Sequence, residues 1–288
     1  MKIQSLSLAV PAGCPNNCKF CVAHMDRTKY TNHMEENYQF HHLYWDDFKK
    51  KLMFARDNGC NTLMLTGDGE PLMNREFLEK FGHINNGLLT PFRWIELQTS
   101  GVFLDEAYLR FLRNHVGVSV ISLSVSSLNT KENIMQNQIP EQLQFYIPYV
   151  ADMIKKYDFT LRFSLNLTEA FDDMSPAKIL NEVKERGADQ VTFRQLYKSG
   201  ENTKEDKWIE EHGASGRTIN DIREYIKKNG EPMAILPFGA TKYSIHGMSV
   251  VLDEDCMAEE IKDTYKYLIL RPDAKLYSSW DKKESVLF

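Results

Sequence analysis

Apolar residues recur along this chain with two periods, and the two take turns. Residues 3–10 alternate as a strand does, and residues 46–57 place Phe48, Leu52 and Ala55 on one helical face before Gly59 stops the turn. The same reading predicts strands over residues 62–66, 94–100, 118–126, 160–168 and 191–197. It predicts helices over 75–84, 105–114, 141–157 and 176–186, the last capped by Ser175 with Pro176 in its first position. Strands that alternate with helices require right-handed crossovers and a parallel sheet. The expected class is therefore α/β, with residues 1–198 forming an open or partial (β/α)6 barrel.

Beyond that point the pattern changes. Residues 199–218 are rich in Gly, Glu, Lys and Asn and read as a linker or mobile loop. Residues 219–228 read as a helix. Two hairpin-like stretches follow, turning at His246-Gly247 and at Arg271-Pro272-Asp273-Ala274. Residues 219–288 are thus expected to form a small C-terminal α+β cap.

Three consecutive strands are polar on one face. Glu96, Gln98 and Ser100 alternate with Ile95 and Leu97. Ser122, Ser124 and Ser126 alternate with Ile121, Leu123 and Val125. Arg162, Ser164, Asn166 and Thr168 alternate with Leu161, Phe163, Leu165 and Leu167. A parallel strand buried on both faces is normally apolar throughout. With helices covering the apolar face, the polar face lines the barrel and implies a wet cavity for a polar ligand. An open sheet with one solvent face is the plainer alternative.

Composition narrows the class. The 288 residues are 42% hydrophobic and 26% charged, as in an ordinary globular protein. No run approaches the roughly 18 apolar residues of a membrane span, and the strand pattern that begins at once argues against a targeting peptide. A net charge of −5 makes extended nucleic acid an unexpected partner. The five cysteines are an odd number, and with no secretory signal they fit a reducing, cytoplasmic compartment.

Three of those cysteines carry the chemistry. Cys14, Cys18 and Cys21 stand in a C-x3-C-x2-C spacing directly after the first strand. Three thiolates on one loop can wrap an iron–sulfur cube while leaving one of its irons open. His24 would supply a fourth ligand for a closed zinc site, the reading that makes the chain a zinc-stabilised binding module. That reading leaves Thr66-Gly67-Asp68-Gly69-Glu70-Pro71-Leu72 unexplained. Cys60 opens a strand and reads as a buried small hydrophobe, and Cys256 receives no role.

The cysteine spacing, Phe20 before the third cysteine and the glycine-rich residues 67–71 together resemble the radical S-adenosylmethionine (SAM) superfamily. Within it the chain is similar to the molybdenum-cofactor branch that rearranges GTP. The resemblance rests on Gln98-Thr99-Ser100-Gly101, on residues 124–129, on Phe193-Arg194-Gln195-Leu196-Tyr197 and on residues 273–279. It implies one [4Fe-4S] cluster on Cys14, Cys18 and Cys21. It also implies SAM held by Phe20, Gly67, Gly69, Glu70, Pro71, Thr99, Ser100, Ser124 and Tyr197. Glu70 would accept from the SAM ammonium, Ser124 would hold the ribose and Tyr197 would lie near the adenine. The chain departs from that branch in three places. Ser279 stands where an auxiliary-cluster cysteine belongs, so no second cluster is expected. Ser7 and Met64 stand where two GTP-binding arginines belong, while Arg162 keeps the third, which makes GTP an unexpected substrate.

The activity implied is reductive cleavage of SAM to a 5′-deoxyadenosyl radical that takes hydrogen from a small polar substrate, nucleoside- or nucleotide-like in one version. Arg162, Ser164 and Asn166 are the residues expected to grip its anionic group, and reduced flavodoxin or a ferredoxin-type protein is the expected electron donor. A peptide- or protein-modifying enzyme, including a glycyl-radical activase, is the alternative.

Overall fold

The structure, a computed structural model, describes residues 2–25, 41–235, 241–253, 260–261, 264–280 and 282–288. β1 (Lys2–Ala9) runs into the cysteine loop and a single helical turn, α1 (Val22–Met25). Next come α2 (Trp45–Asp57), β2 (Thr62–Thr66), α3 (Arg75–Asn86) and β3 (Trp94–Thr99). Asn74 starts α3 by accepting the Phe77 N–H at 3.0 Å. α4 (Glu106–Phe111) is shorter than expected because its last turn widens to π geometry over Leu112–Val116, ahead of β4 (Val120–Val125).

Two helices, not one, separate β4 from β5 (Thr160–Leu167): α5 (Thr130–Asn137) and α6 (Ile147–Lys156). Pro148 has no N–H to donate, so it sits in the first turn and moves the start of α6 to Ile147. α5 is absent from the sequence prediction because it buries Asn133, Gln136 and Asn137, which an apolar period does not register. α7 (Pro176–Glu185) and β6 (Gln190–Gln195) complete the sixth unit.

The expected linker is corrected. Its middle is α8 (Lys204–His212), started by a capping box in which Thr203 Oγ1 accepts from Asp206 N at 3.0 Å and Asp206 Oδ2 accepts from Thr203 N at 3.2 Å. α9 (Gly216–Asn229) follows, capped by Ser215. The expected cap does not stand apart either. β7 (Glu231–Ile235), β8 (Thr241–Ile245) and β9 (Met248–Asp253) form an antiparallel meander whose last strand pairs in parallel with β6. His246 and Gly247 take positive φ (53° and 74°) in the β8–β9 turn, so His246 is an exposed turn residue. β11 (Thr264–Leu270), flanked by β10 (Glu260–Ile261) and β12 (Leu276–Tyr277), lies parallel to β1.

The result is one twelve-stranded sheet in the order β10-β11-β1-β2-β3-β4-β5-β6-β9-β8-β7, with β12 on β11. Its outer face packs under the helices through residues such as Leu6, Leu63, Leu97, Leu123, Phe163 and Phe193, all buried. Each such side chain contributes about 1.5–3 kcal/mol. The inner face is polar as the alternation predicts, and Ser7, Glu96, Ser122 and Ser164 are buried there. Lys266 Nζ of β11 lies 3.6 Å from Asp253 Oδ1 of β9, an ion pair across the opening between the two outermost parallel strands.

Candidate active site

The cysteine loop and residues 67–71 leave the C-terminal ends of β1 and β2, and backbone contacts join them. Val10 N donates to Thr66 O at 2.7 Å, and Glu70 N donates to Gly13 O at 2.8 Å. Gly67 takes φ +154° beside the Val10 carbonyl. A Cβ on Gly69 would lie 2.2 Å from Ala12 O and 2.3 Å from Gly13 O, so only glycine permits this approach. Gly69→Ala is expected to cost about 2–3 kcal/mol and to push the cysteine loop outward. A urea titration and the iron content after reconstitution measure the two effects.

Glu70 is buried. Its Oε1 accepts from Thr99 Oγ1 at 2.6 Å and Leu72 N at 3.3 Å, and its Oε2 accepts from Ser100 N at 2.9 Å and Ser100 Oγ at 2.7 Å. Burial pushes its carboxyl pKa up, against these four donors, which pull it down. A carboxylate offers about four lone-pair directions, and all are taken. In this arrangement Glu70, with Thr99 and Ser100, is a strut that pins the glycine-rich segment to the end of β3. Asp68 reaches Arg271, a buried cation at the end of β11, at 3.4 Å. Sequence reasoning passed over Arg271 as part of a turn.

Cys14 is exposed as a residue, while Cys18 and Cys21 are partly buried. Partial enclosure of its sulfur pushes the Cys14 thiol up to about 11, opposed by the Asn16 N–H and reinforced by Glu70 and Cys21. Burial also raises Cys18, with Cys21 and Cys14 adding to the effect. Burial raises Cys21 as well, against the backbone N–H groups of Ala23 and His24. The three thiols thus feel one another, and backbone amides point at each of them. This is a donor set made for a positively charged partner, which would remove the protons. His24, the fourth ligand of the zinc alternative, has its Nδ1 3.9 Å from Glu205. Among the described residues no three His, Cys, Asp or Glu side chains gather closely enough for a single metal ion.

Two elements missed in the sequence wrap this loop. The Asn137 carbonyl at the end of α5 accepts from Cys18 Sγ at 3.5 Å. Asn137 Oδ1 accepts from Ser126 Oγ at 2.9 Å, which ties α5 to the end of β4. From α8, Trp208 packs on Phe20 with ring centroids 5.6 Å apart. Asn16 Oδ1 and Gln136 Oε1 are buried with no hydrogen-bond partner among the described residues, and buried amides in that state mark a place for a polar ligand.

Ser124 is partly buried on the inner face of β4, and Tyr197, also partly buried, follows β6. Asn166 Nδ2 lies 3.5 Å from Ser126 Oγ, and Ser164 is buried beside Ser124 in the strand register. Arg162 is not with them. It sits five residues before the end of β5, roughly 16 Å below the rim at about 3.3 Å per residue. There it donates to buried Glu96 and to Gln190. Arg162, the residue expected to grip an anionic group, is thus ion-paired with Glu96.

Residues 8–162, more than half of the chain, match the radical SAM superfamily. The chain belongs to the radical SAM superfamily. No curated protein matches it in sequence. Among solved structures, anSMEcpe with bound AdoMet and a peptide is 14% identical over 98% of this chain and 75% of its own, with a TM-score of 0.63. Coproporphyrinogen III oxidase (HemN) from Escherichia coli is 14% identical over 80% of this chain and 54% of its own, with a TM-score of 0.53. Streptococcus suis SuiB bound to S-adenosylmethionine is 13% identical over 79% of this chain, with a TM-score of 0.50; this chain spans 44% of its length.

Radical SAM proteins are enzymes that use a [4Fe-4S] cluster and SAM, and this chain's donor set fits both. Its loop brings three thiols with inward amides, and Asn16 of that loop and Gln136 of α5 bring buried amide oxygens with no partner among the described residues. Ser279, at the position expected of an auxiliary-cluster cysteine, is buried and donates its N–H to Ser285 Oγ at 3.2 Å. Cys256 lies outside the described residues. No helix among the described residues is long and apolar enough to cross a membrane.

Proposed function

We propose that Cys14, Cys18 and Cys21 hold the cluster, that SAM lies along the ends of β2, β3, β4 and β6 near residues 67–71, Ser124 and Tyr197, and that the chemistry is directed at a small polar substrate inside the barrel. When bound and reduced, the cluster supplies the electron that splits SAM into methionine and a deoxyadenosyl radical able to take hydrogen from carbon. The chain itself positions and shields. Glu70, Thr99 and Ser100 fix the strand ends, Phe20 and Trp208 cover the loop, and the polar inner walls orient the substrate.

The observation behind the substrate class is a cavity of about 320 Å³ in the barrel, at the small end of metabolite sites. Its walls include Glu96, Gln98, Gln190 and Arg194. Gln98 and Arg194 lie one residue short of the ends of β3 and β6, next to the proposed SAM site. A flavodoxin or ferredoxin-type donor is the partner such chemistry requires. A peptide substrate is the second reading, favoured by the near-complete overlap with anSMEcpe, whose structure holds a peptide.

Dithionite-reduced, reconstituted enzyme with SAM separates the two readings. The low-mass filtrate of a cell extract is expected to stimulate 5′-deoxyadenosine formation severalfold over the uncoupled rate. Stimulation confined to the retained macromolecules would overturn the small-molecule reading in favour of the peptide one.

A further inference from the structure

The barrel cavity is lined by more positive than negative side chains. Among the described residues Arg162, Arg194, Lys242 and Lys266 face Glu96 and Asp253 across it, four cations to two anions. Arg162 is held by Glu96. Asp253 is shared between Arg194 at 3.8 Å and Lys266 at 3.6 Å, both beyond hydrogen-bond length. Lys242, partly buried on β8, makes no ion pair among the described residues. A cation drawn out of water without a counterion carries a desolvation cost that a bound anion removes. In the same cavity Gln4 has a buried Oε1 with no hydrogen-bond partner among the described residues. Its amide can turn to present N–H donors instead.

We propose that this cavity is an anion site, in which Lys242, Arg194 and Lys266 bind the carboxylate or phosphate group of a small metabolite. The substrate of the radical reaction is then a small acid. This rests on the barrel interior being the substrate site. It also moves the anion from Arg162, where the strand alternation alone had put it, to residues supplied by β6, β8 and β11. Two of those three strands belong to the tail that looked like a separate cap.

Calorimetric titration of the anaerobic holoenzyme with inorganic phosphate and with succinate, at constant ionic strength, tests the site. One or both are expected to bind at a single site, and the stronger of the two names the anion class. K242Q is expected to weaken that binding about tenfold, while K242R keeps it. Should K242Q unfold in a urea check, R194Q makes the same comparison. Absence of binding by both probes, or wild-type affinity in the charge-removing variant, overturns the proposal. Methionine release from SAM in the same samples keeps the questions apart. Cleavage without anion binding removes the site and leaves the enzyme assignment standing. Anion binding in a protein stimulated only by macromolecules keeps the anion site but overturns its role in holding the substrate.

Discussion

Alanine at Cys14, Cys18 or Cys21 is expected to strip most of the iron from reconstituted protein and to bring methionine release from SAM to background. A cube held by three thiolates has no spare ligand, and His24, turned toward Glu205, is not placed to replace one. Serine should not rescue, because a neutral hydroxyl is a poor substitute for a thiolate on iron. The control is Cys60→Ala. Cys60 is buried at the head of β2 with its Sγ donating to Thr62 O at 3.3 Å. Its loss should cost about 1 kcal/mol and leave iron and cleavage intact. Iron determination, the absorbance near 400 nm and methionine release read all four variants. Full iron in any one of the three loop variants would remove the cluster assignment.

Glu70→Ala is expected to destabilise the fold by about 3–5 kcal/mol, and Glu70→Gln by only about 1–2 kcal/mol. Alanine leaves four donors without acceptors: Thr99 Oγ1, Leu72 N, Ser100 N and Ser100 Oγ. Glutamine can keep its carbonyl toward Ser100 and turn its amide nitrogen toward Thr99, whose hydroxyl can rotate to accept. The backbone N–H of Leu72, already at 3.3 Å, is the bond given up. Urea unfolding of the anaerobic protein measures the difference. If alanine and glutamine cost the same, the strut account fails. SAM affinity should follow stability in this pair; a glutamine variant that is stable yet blind to SAM would return Glu70 to the ligand.

Much of the architecture was legible in the sequence because its six β–α units obey simple periods. Residues 62–66 and the Ser175–Pro176 helix start are examples where period and capping chemistry agree. The places where reading failed share a cause: polar residues used structurally. α5 buries asparagines and glutamine, and α8 buries Glu205 and Asp206, so both look like solvent-exposed loop in a hydrophobic pattern. Around the site, the chemically telling residues stood out by type and spacing, but their partners did not. Arg162 reads as a free cation until Glu96, 66 residues away, is seen beside it. Glu70 stands out in the sequence, but its hydrogen bonds to Thr99 and Ser100 do not. Arg271 and Lys242 reach the site through strand pairings that no local signal encodes.

The pairing of β1 with β11 sets the order in which the molecule can be assembled. Ser5 Oγ donates to the carbonyl of Lys266, a partner 261 residues later. During synthesis one edge of the first strand must wait, unzipped, until the 261 residues that separate the pair have left the ribosome. An edge of that kind invites pairing with other chains, and closure over so long a separation is slow. The step that completes the sheet is thus a late one, and a nascent chain stalled before β11 would carry its cysteine loop on a strand still open to its neighbours.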